Sequence, residues 1–235
     1  MEIYWKESKM CGRFTLAPKS PDFLNYFEIM ESLDFTSRYN IYPGQDVLMV
    51  RTNEKNHREA IFAHWGLIPK WQKEEDIGTS WINARSETIT EKKLFKTPFQ
   101  QKRCLIIADG FYEWKSMPTS KIKQPYYFHQ KNNMPFGFAG IWEHWESPSG
   151  KIIDSCCILT TAANKTVKPV HIRMPIIVPQ DYYKTWLDHE IIEQSNFEKM
   201  LEIISDKTLL VKTPVGTYVN NPKNQGEKCI EVFEA

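Results

Sequence analysis

Cys11 follows directly on an internal methionine, Met10, in the run Cys11-Gly12-Arg13-Phe14, where its thiol is a candidate nucleophile. Three further stretches place polar residues where the folding pattern favours apolar ones. They are Ile82-Asn83-Ala84-Arg85-Ser86-Glu87-Thr88, Ala108-Asp109-Gly110-Phe111-Tyr112-Glu113-Trp114 and His171-Ile172-Arg173-Met174-Pro175. Local conflicts of this kind are where function is expected.

Each stretch offers a group with usable chemistry beside a plainer role. Glu113 is flanked by aromatics; buried there, its carboxyl is pushed up and suits acid or base work, whereas an outward-facing strand position would leave it solvated. The imidazole of His171 can give or take a proton, since histidine's reference pKa of about 6.5 permits both states, although a single histidine also serves structurally. Asn83 carries both donor and acceptor groups and can position a substrate oxygen, or simply cap the helix that follows. Arg13, Arg85 and Arg173 lie in three of the four stretches, and guanidinium groups grip phosphate through paired hydrogen bonds. Trp71 is equally a platform for a nucleobase and a core residue.

The elements that must position these groups are mostly strands. Residues 47–51, 60–65, 103–108, 111–115, 125–130, 136–142 and 152–160 are short β-branched or aromatic runs bounded by turn residues. Residues 21–33 carry Phe23, Leu24, Phe27 and Met30 at helical spacing. Further helices are predicted over 88–95, with Thr88 and Glu91 as a capping box, and over 180–187 and 191–204. The fold class is therefore α+β: a curved, mainly antiparallel sheet or barrel-like core with flanking helices.

Composition limits the options. With 235 residues, 41% hydrophobic and 25% charged, the chain suits one sizeable domain. A formal charge of +1 excludes a uniformly basic, duplex-wrapping surface, so a nucleic-acid site has to be a local patch. The five cysteines are odd in number and show no C-x-x-C spacing, which fits a reducing compartment and no zinc site. No run approaches a membrane span, and the opening residues lack the apolar segment of a signal peptide. The expectation is a cytoplasmic protein, or a nuclear one in a eukaryote, without metal or organic cofactor.

The four stretches, in this order, resemble the SOS-response-associated peptidase (SRAP) family, also called the abasic-site-processing family. Connecting pieces match as well: Arg38-Tyr39-Asn40, Trp65-Gly66-Leu67-Ile68-Pro69, Gln124-Pro125-Tyr126-Tyr127-Phe128 and Asn221-Pro222-Lys223-Asn224-Gln225-Gly226. The resemblance covers nearly the whole chain from Met10 onward. It implies a single domain over 11–235, catalytic roles for Cys11, Asn83, Glu113 and His171, and a DNA groove around Cys11 lined by Arg13, Arg85 and Arg173, with Trp71 a candidate DNA-binding platform or wedge beside the lesion. The implied partner is single-stranded DNA containing an abasic site, bound by a monomer.

Family members typically begin Met-Cys-Gly-Arg, and loss of the methionine exposes the cysteine. Here nine residues precede Met10. The preferred explanation is a start placed upstream of the true one; the other is a pro-segment that the protein removes itself. The distinction matters because an abasic deoxyribose is partly an open-chain aldehyde. An α-amine, with a reference pKa of about 7.7 to 8, forms an imine with it near neutral pH. A thiol on the adjacent carbon then closes a durable five-membered thiazolidine. Two other readings compete: a thiol peptidase using Cys11, and a non-covalent single-strand-binding module. Strand breakage by β-elimination is a lyase side reaction open to the same amine.

Overall fold

The computed structural model describes residues 11–31, 33–73, 81–118, 120–188, 190, 193–207 and 209–233. In chain order the strands and α-helices are β1 (Phe14–Leu16), β2 (Arg38–Ile41), β3 (Asp46–Thr52), β4 (Arg58–Trp65), β5 (Asn83–Arg85), α1 (Lys93–Gln101), β6 (Arg103–Ala108), β7 (Gly110–Met117), β8 (Ser120–Gln130), β9 (Phe136–Glu146), β10 (Ile152–Ala162), β11 (Arg173–Pro175), β12 (Ile177–Val178), α2 (Tyr183–Leu187), α3 (Gln194–Lys207) and β13 (Leu210–Pro214).

Five strands close into a barrel. The order β10-β4-β3-β6-β9 returns to β10 through an antiparallel β9–β10 pairing, from Ile152 opposite Glu146 to Ile158 opposite Gly140. Closure removes the open edges a flat sheet would expose. Every residue of β6 is buried, as are Val47 to Val50 of β3. The apolar runs within them, residues 104–108 and 47–50, suit strands covered on both faces. The β3–β4 hairpin is fixed locally. Asn53 Oδ1 accepts the backbone N–H groups of Lys55 and His57, each at 3.0 Å, and Asn56 takes a left-handed φ of 60°.

A second sheet, ordered β13-β8-β7-β1-β2, packs against the barrel. Aromatics form the joint: Phe14 meets Trp65 and Phe138 at 5.0 and 5.7 Å between ring centroids, and Phe111 meets Phe138 at 6.1 Å. The chain passes from barrel to second sheet at Ala108-Asp109-Gly110. There Asp109 accepts the Thr15 hydroxyl and, at 2.7 Å, the N–H of Ala17, locking the corner to β1. A Cβ on Gly110 would lie 2.2 Å from Tyr127 Oη, so only glycine fits. This corner aims β7, and with it Glu113.

Below the barrel, Phe99 of α1 packs on Phe197 of α3 at 4.7 Å and on Trp186 of α2 at 6.3 Å. Arg103 is buried between these helices and donates to five backbone carbonyls. Four are Trp186 at 2.8 Å, Phe99 at 2.9 Å, Gln100 at 3.0 Å and Glu190 at 2.9 Å; the fifth is Asp188.

All seven predicted strands occur, and six short ones (β1, β2, β5, β11, β12 and β13) were not foreseen. The helix expected over 21–33 is a shorter 3-10 helix, Pro21–Phe27. Glu28 turns left-handed at φ 60°, and the N–H of Ile29 returns to Leu24 O, which buries Ile29 and leaves Met30 90% exposed. The helix expected over 88–95 is replaced by a 3-10 turn at Ser86–Thr88, with α1 starting later at Lys93. Thr88 contributes its backbone carbonyl, which takes the N–H groups of Glu91 and Lys92 at 3.3 Å, while Ile89 is drawn into the core. The 180–187 prediction splits into a 3-10 turn and α2. In the 191–204 prediction, residues 191 and 192 lie outside the described residues, and α3 follows from Gln194.

Candidate active site

Cys11 sits just ahead of β1, 4% exposed, in a left-handed turn with φ 49°. Its backbone nitrogen donates to Glu113 Oε1 at 2.8 Å. Glu113 is the fourth residue of β7, opposite Tyr126 of β8. Strand alternation alone does not bury it. Phe111, two residues earlier, points into the main core, and Tyr112 on the other face enters a second apolar cluster with Tyr127, Val215 and Val219. Both faces of β7 are thus covered, and Glu113 is 5% exposed.

Burial pushes the Glu113 carboxyl above its ordinary range, partly offset by the charge of His171 and by the N–H and thiol of Cys11. Burial likewise pushes the Cys11 thiol well up, reinforced by the charge of Glu113 and opposed by Arg173. The four side chains therefore share one electrostatic neighbourhood. His171 Nδ1 lies 3.1 Å from both the N–H and the carbonyl of Arg173, so backbone holds the ring in either protonation state. The preceding turn is set by Asn164, whose Oδ1 accepts from Thr166 and Val167 at 3.1 Å; His171 N–H then closes on Val167 O at 3.0 Å.

Asn83 and Arg85 lie on β5, which runs parallel to the end of β10 with Asn83 level with Ile158 and Arg85 with Thr160. They share one face of the strand; Ala84, on the other, is buried. β11, carrying Arg173, pairs with that same end of β10. The two motifs, remote in sequence, thus flank one strand.

The three arginines are in different states. Arg13 points into the protein, donating to Asn40 Oδ1 at 2.8 Å and Val219 O at 3.0 Å, with Trp114 and Tyr42 rings at 5.8 and 6.0 Å; burial draws its pKa down. Arg173 donates both guanidinium arms to the Glu87 carboxylate, one of them at 2.9 Å, and one arm also to Thr160 O at 2.8 Å. Arg85 is exposed. Trp71 lies at the surface, 66% exposed, with its ring 6.4 Å from that of Trp81 in an edge-on contact, so it is not a core residue. Among the described residues no group of three or more His, Cys, Asp or Glu side chains is arranged to hold a metal ion. No helix among them is long and apolar enough to cross a membrane.

Asn40 and Gln225 do work that sequence reasoning assigned to neither. Asn40 is fully buried and donates to the carbonyls of Val219, Asn221 and Asn224 at 3.0 to 3.1 Å. Gln225 Oε1 accepts the N–H groups of Tyr39 and Asn40 at 2.9 and 3.2 Å. Together they strap the 219–225 segment across β2 and beside Arg13. Their only trace in the sequence was membership of the Arg38-Tyr39-Asn40 and Asn221-Pro222-Lys223-Asn224-Gln225-Gly226 stretches that match the family; nothing local marks either residue for this strap.

The family model for SOS response associated peptidase (SRAP) matches residues 10–222. Among curated relatives, the abasic site processing protein YoaM of Bacillus subtilis is 38% identical over 225 residues, which is 94% of this chain and 98% of that protein. The abasic site processing protein HMCES of Mus musculus is 31% identical over 206 residues, covering 75% of this chain and 58% of that protein. A crystal structure of a protein from Bacteroides thetaiotaomicron superposes with a TM-score of 0.80 over 95% of this chain and 100% of the other, at 21% identity.

Proposed function

Because the chain belongs to the SOS response associated peptidase family, we propose that it processes abasic sites in DNA by bonding to them covalently through Cys11, in a form of the protein that begins at that residue. The observation that carries this reading is the 2.8 Å contact between the Cys11 nitrogen and Glu113 Oε1. In a chain starting at Cys11 that nitrogen is an α-amine, and a buried carboxylate is already in place to take its proton. The family match starting at Met10 supports the same first residue.

The amine attacks the aldehyde carbon of the opened deoxyribose, and its proton passes to Glu113. Glu113 returns that proton to the new alkoxide, giving the carbinolamine, and then relays the remaining N–H proton to the hydroxyl, which leaves as water while an imine remains. The thiol sulfur then adds to the imine carbon while the thiol proton goes to the nitrogen, closing the thiazolidine. One water is released overall. His171 assists proton transfer at the sugar oxygen, and Asn83 holds the open-chain sugar. The elevated thiol favours this order, since sulfur is needed as a nucleophile only after the imine has formed.

Single-stranded DNA is the substrate form in this reading. Arg85 and Trp71 are exposed and suited to phosphate contact and base stacking without base readout. The product shields the lesion. A thiol peptidase is less well supported, because such enzymes need a lowered thiol pKa and burial drives that of Cys11 the other way. The test is a denaturing gel of the protein starting at Cys11 with an abasic single-stranded oligonucleotide. A heat-resistant shifted band, lost in Cys11→Ser, is expected. Reversible binding alone would overturn the covalent reading, and strand breakage without a persistent adduct would point to a lyase.

A further inference from the structure

Resting on that reading, we propose that Glu87 is a specificity-determining residue: its carboxylate occupies the place of a DNA phosphate on Arg173, so that any strand binding there has to displace it. Both arms of the Arg173 guanidinium meet the two Glu87 oxygens, the paired geometry that guanidinium also uses for phosphate. The two partners are held unequally. Arg173 is anchored from behind by Thr160 O at 2.8 Å and its side chain is 13% exposed, whereas the Glu87 side chain is 49% exposed. Glu87 can therefore swing into water while Arg173 stays in place, presenting the vacated fork to an incoming phosphate.

The exchange replaces one anion by another, so the phosphate gains little net attraction at Arg173. An undamaged strand, which has no other bond to make at Cys11, is held weakly. A strand that offers an aldehyde is retained by the covalent step that follows. This is discrimination by a built-in competitor rather than by added contacts to the lesion. The placement also protects the site: the N–H and carbonyl of Arg173 hold His171 Nδ1, so an anchored Arg173 keeps that ring in position while its outer fork changes partner. A purely structural role for Glu87 predicts the opposite behaviour, because removing its charge would loosen Arg173 and weaken every strand.

Equilibrium binding of undamaged single-stranded DNA by the native protein and by Glu87→Gln, across a salt series, separates these outcomes. Crosslinking of the abasic strand is measured alongside. Glu87→Gln is expected to bind the undamaged strand several-fold more tightly, with a salt slope steeper by about one phosphate contact. The crosslinking yield should stay close to that of the native protein, so that the preference for damaged over intact strands falls. Unchanged or weaker binding of the undamaged strand by Glu87→Gln, with native crosslinking intact, would overturn the competitor role and leave the covalent reading standing. Absence of crosslinking in the native protein would instead remove the reading on which the proposal rests, and the proposal with it.

Discussion

Arg103 and Glu113 are both buried charges, and the regions around them hold them differently. At the corner of α1 and α2, Arg103 reaches five backbone carbonyls, four supplied by the C-terminal ends of those helices and the fifth by Glu190 just beyond α2. At the candidate site, Glu113 meets the nitrogen of a turn residue and the field of a histidine. Burial disfavours the charged form in both places, drawing Arg103 down to about 10 and pushing Glu113 up. At the first site the surrounding groups cannot leave, and the charge is a structural bolt. In the reaction proposed for the second, the partners are the reacting groups, and the same desolvation tunes Glu113 as their proton acceptor. Burial of a charge does not by itself mark a catalytic group; the nature of its partners decides.

The largest effect expected from this contrast is on stability at the Arg103 corner. Arg103→Met leaves five carbonyls without their donor and should lower unfolding free energy by at least about 3 kcal/mol, measured by chemical denaturation. Glu113→Gln should do the reverse in kind. Crosslinking of an abasic strand should slow by about 10²- to 10⁴-fold, while stability near pH 7 holds within about 1 kcal/mol of the native protein or rises. A Glu113→Gln variant as unstable as Arg103→Met would erase the distinction.

The sign of the pH dependence sharpens it. The folded-state pKa of Glu113 lies above the unfolded value of about 4.3, so the folded state binds its proton more tightly. The stability this provides is fully present below that value and is lost as pH rises through the folded pKa. Comparing denaturation of Glu113→Gln with that of the native protein over this window should show a variant whose relative stability improves as pH rises. The smallest stability effect belongs to Trp71→Ala: within about 0.5 kcal/mol for so exposed a ring, with single-strand affinity weakened by about 1 to 3 kcal/mol.

The same contrast explains what could be read before the fold was known. The barrel strands were legible because β3, β6 and β9 are each built around an apolar stretch, residues 47–50, 104–108 and 136–142, that local pattern alone reveals. Strands of two to five residues such as β5 and β11 were not, since they exist by pairing with β10 or other distant partners. The α-helix missing at 28–30 has a similar cause: the buried place for Ile29 lies in tertiary structure. At the candidate site, the residue types of Cys11, Glu113 and His171 pointed to chemistry, yet their proximity joins the turn before β1, β7 and the turn before β11. The partners of Arg13 and Arg173 were invisible, because Asn40 and Glu87 are ordinary residues until the fold places them against a guanidinium.

The central claim is that the nitrogen beside Glu113 is the reacting group. Intact mass of two forms of the protein, one beginning at Cys11 and one retaining Met10, should be recorded before and after exposure to abasic single-stranded DNA. The form beginning at Cys11 is predicted to gain the mass of the oligonucleotide less one water and to survive denaturation, while the form with Met10 still in peptide linkage gains nothing. An equal, stable adduct on both forms would contradict the account, because an amide nitrogen cannot form the imine from which the ring closes.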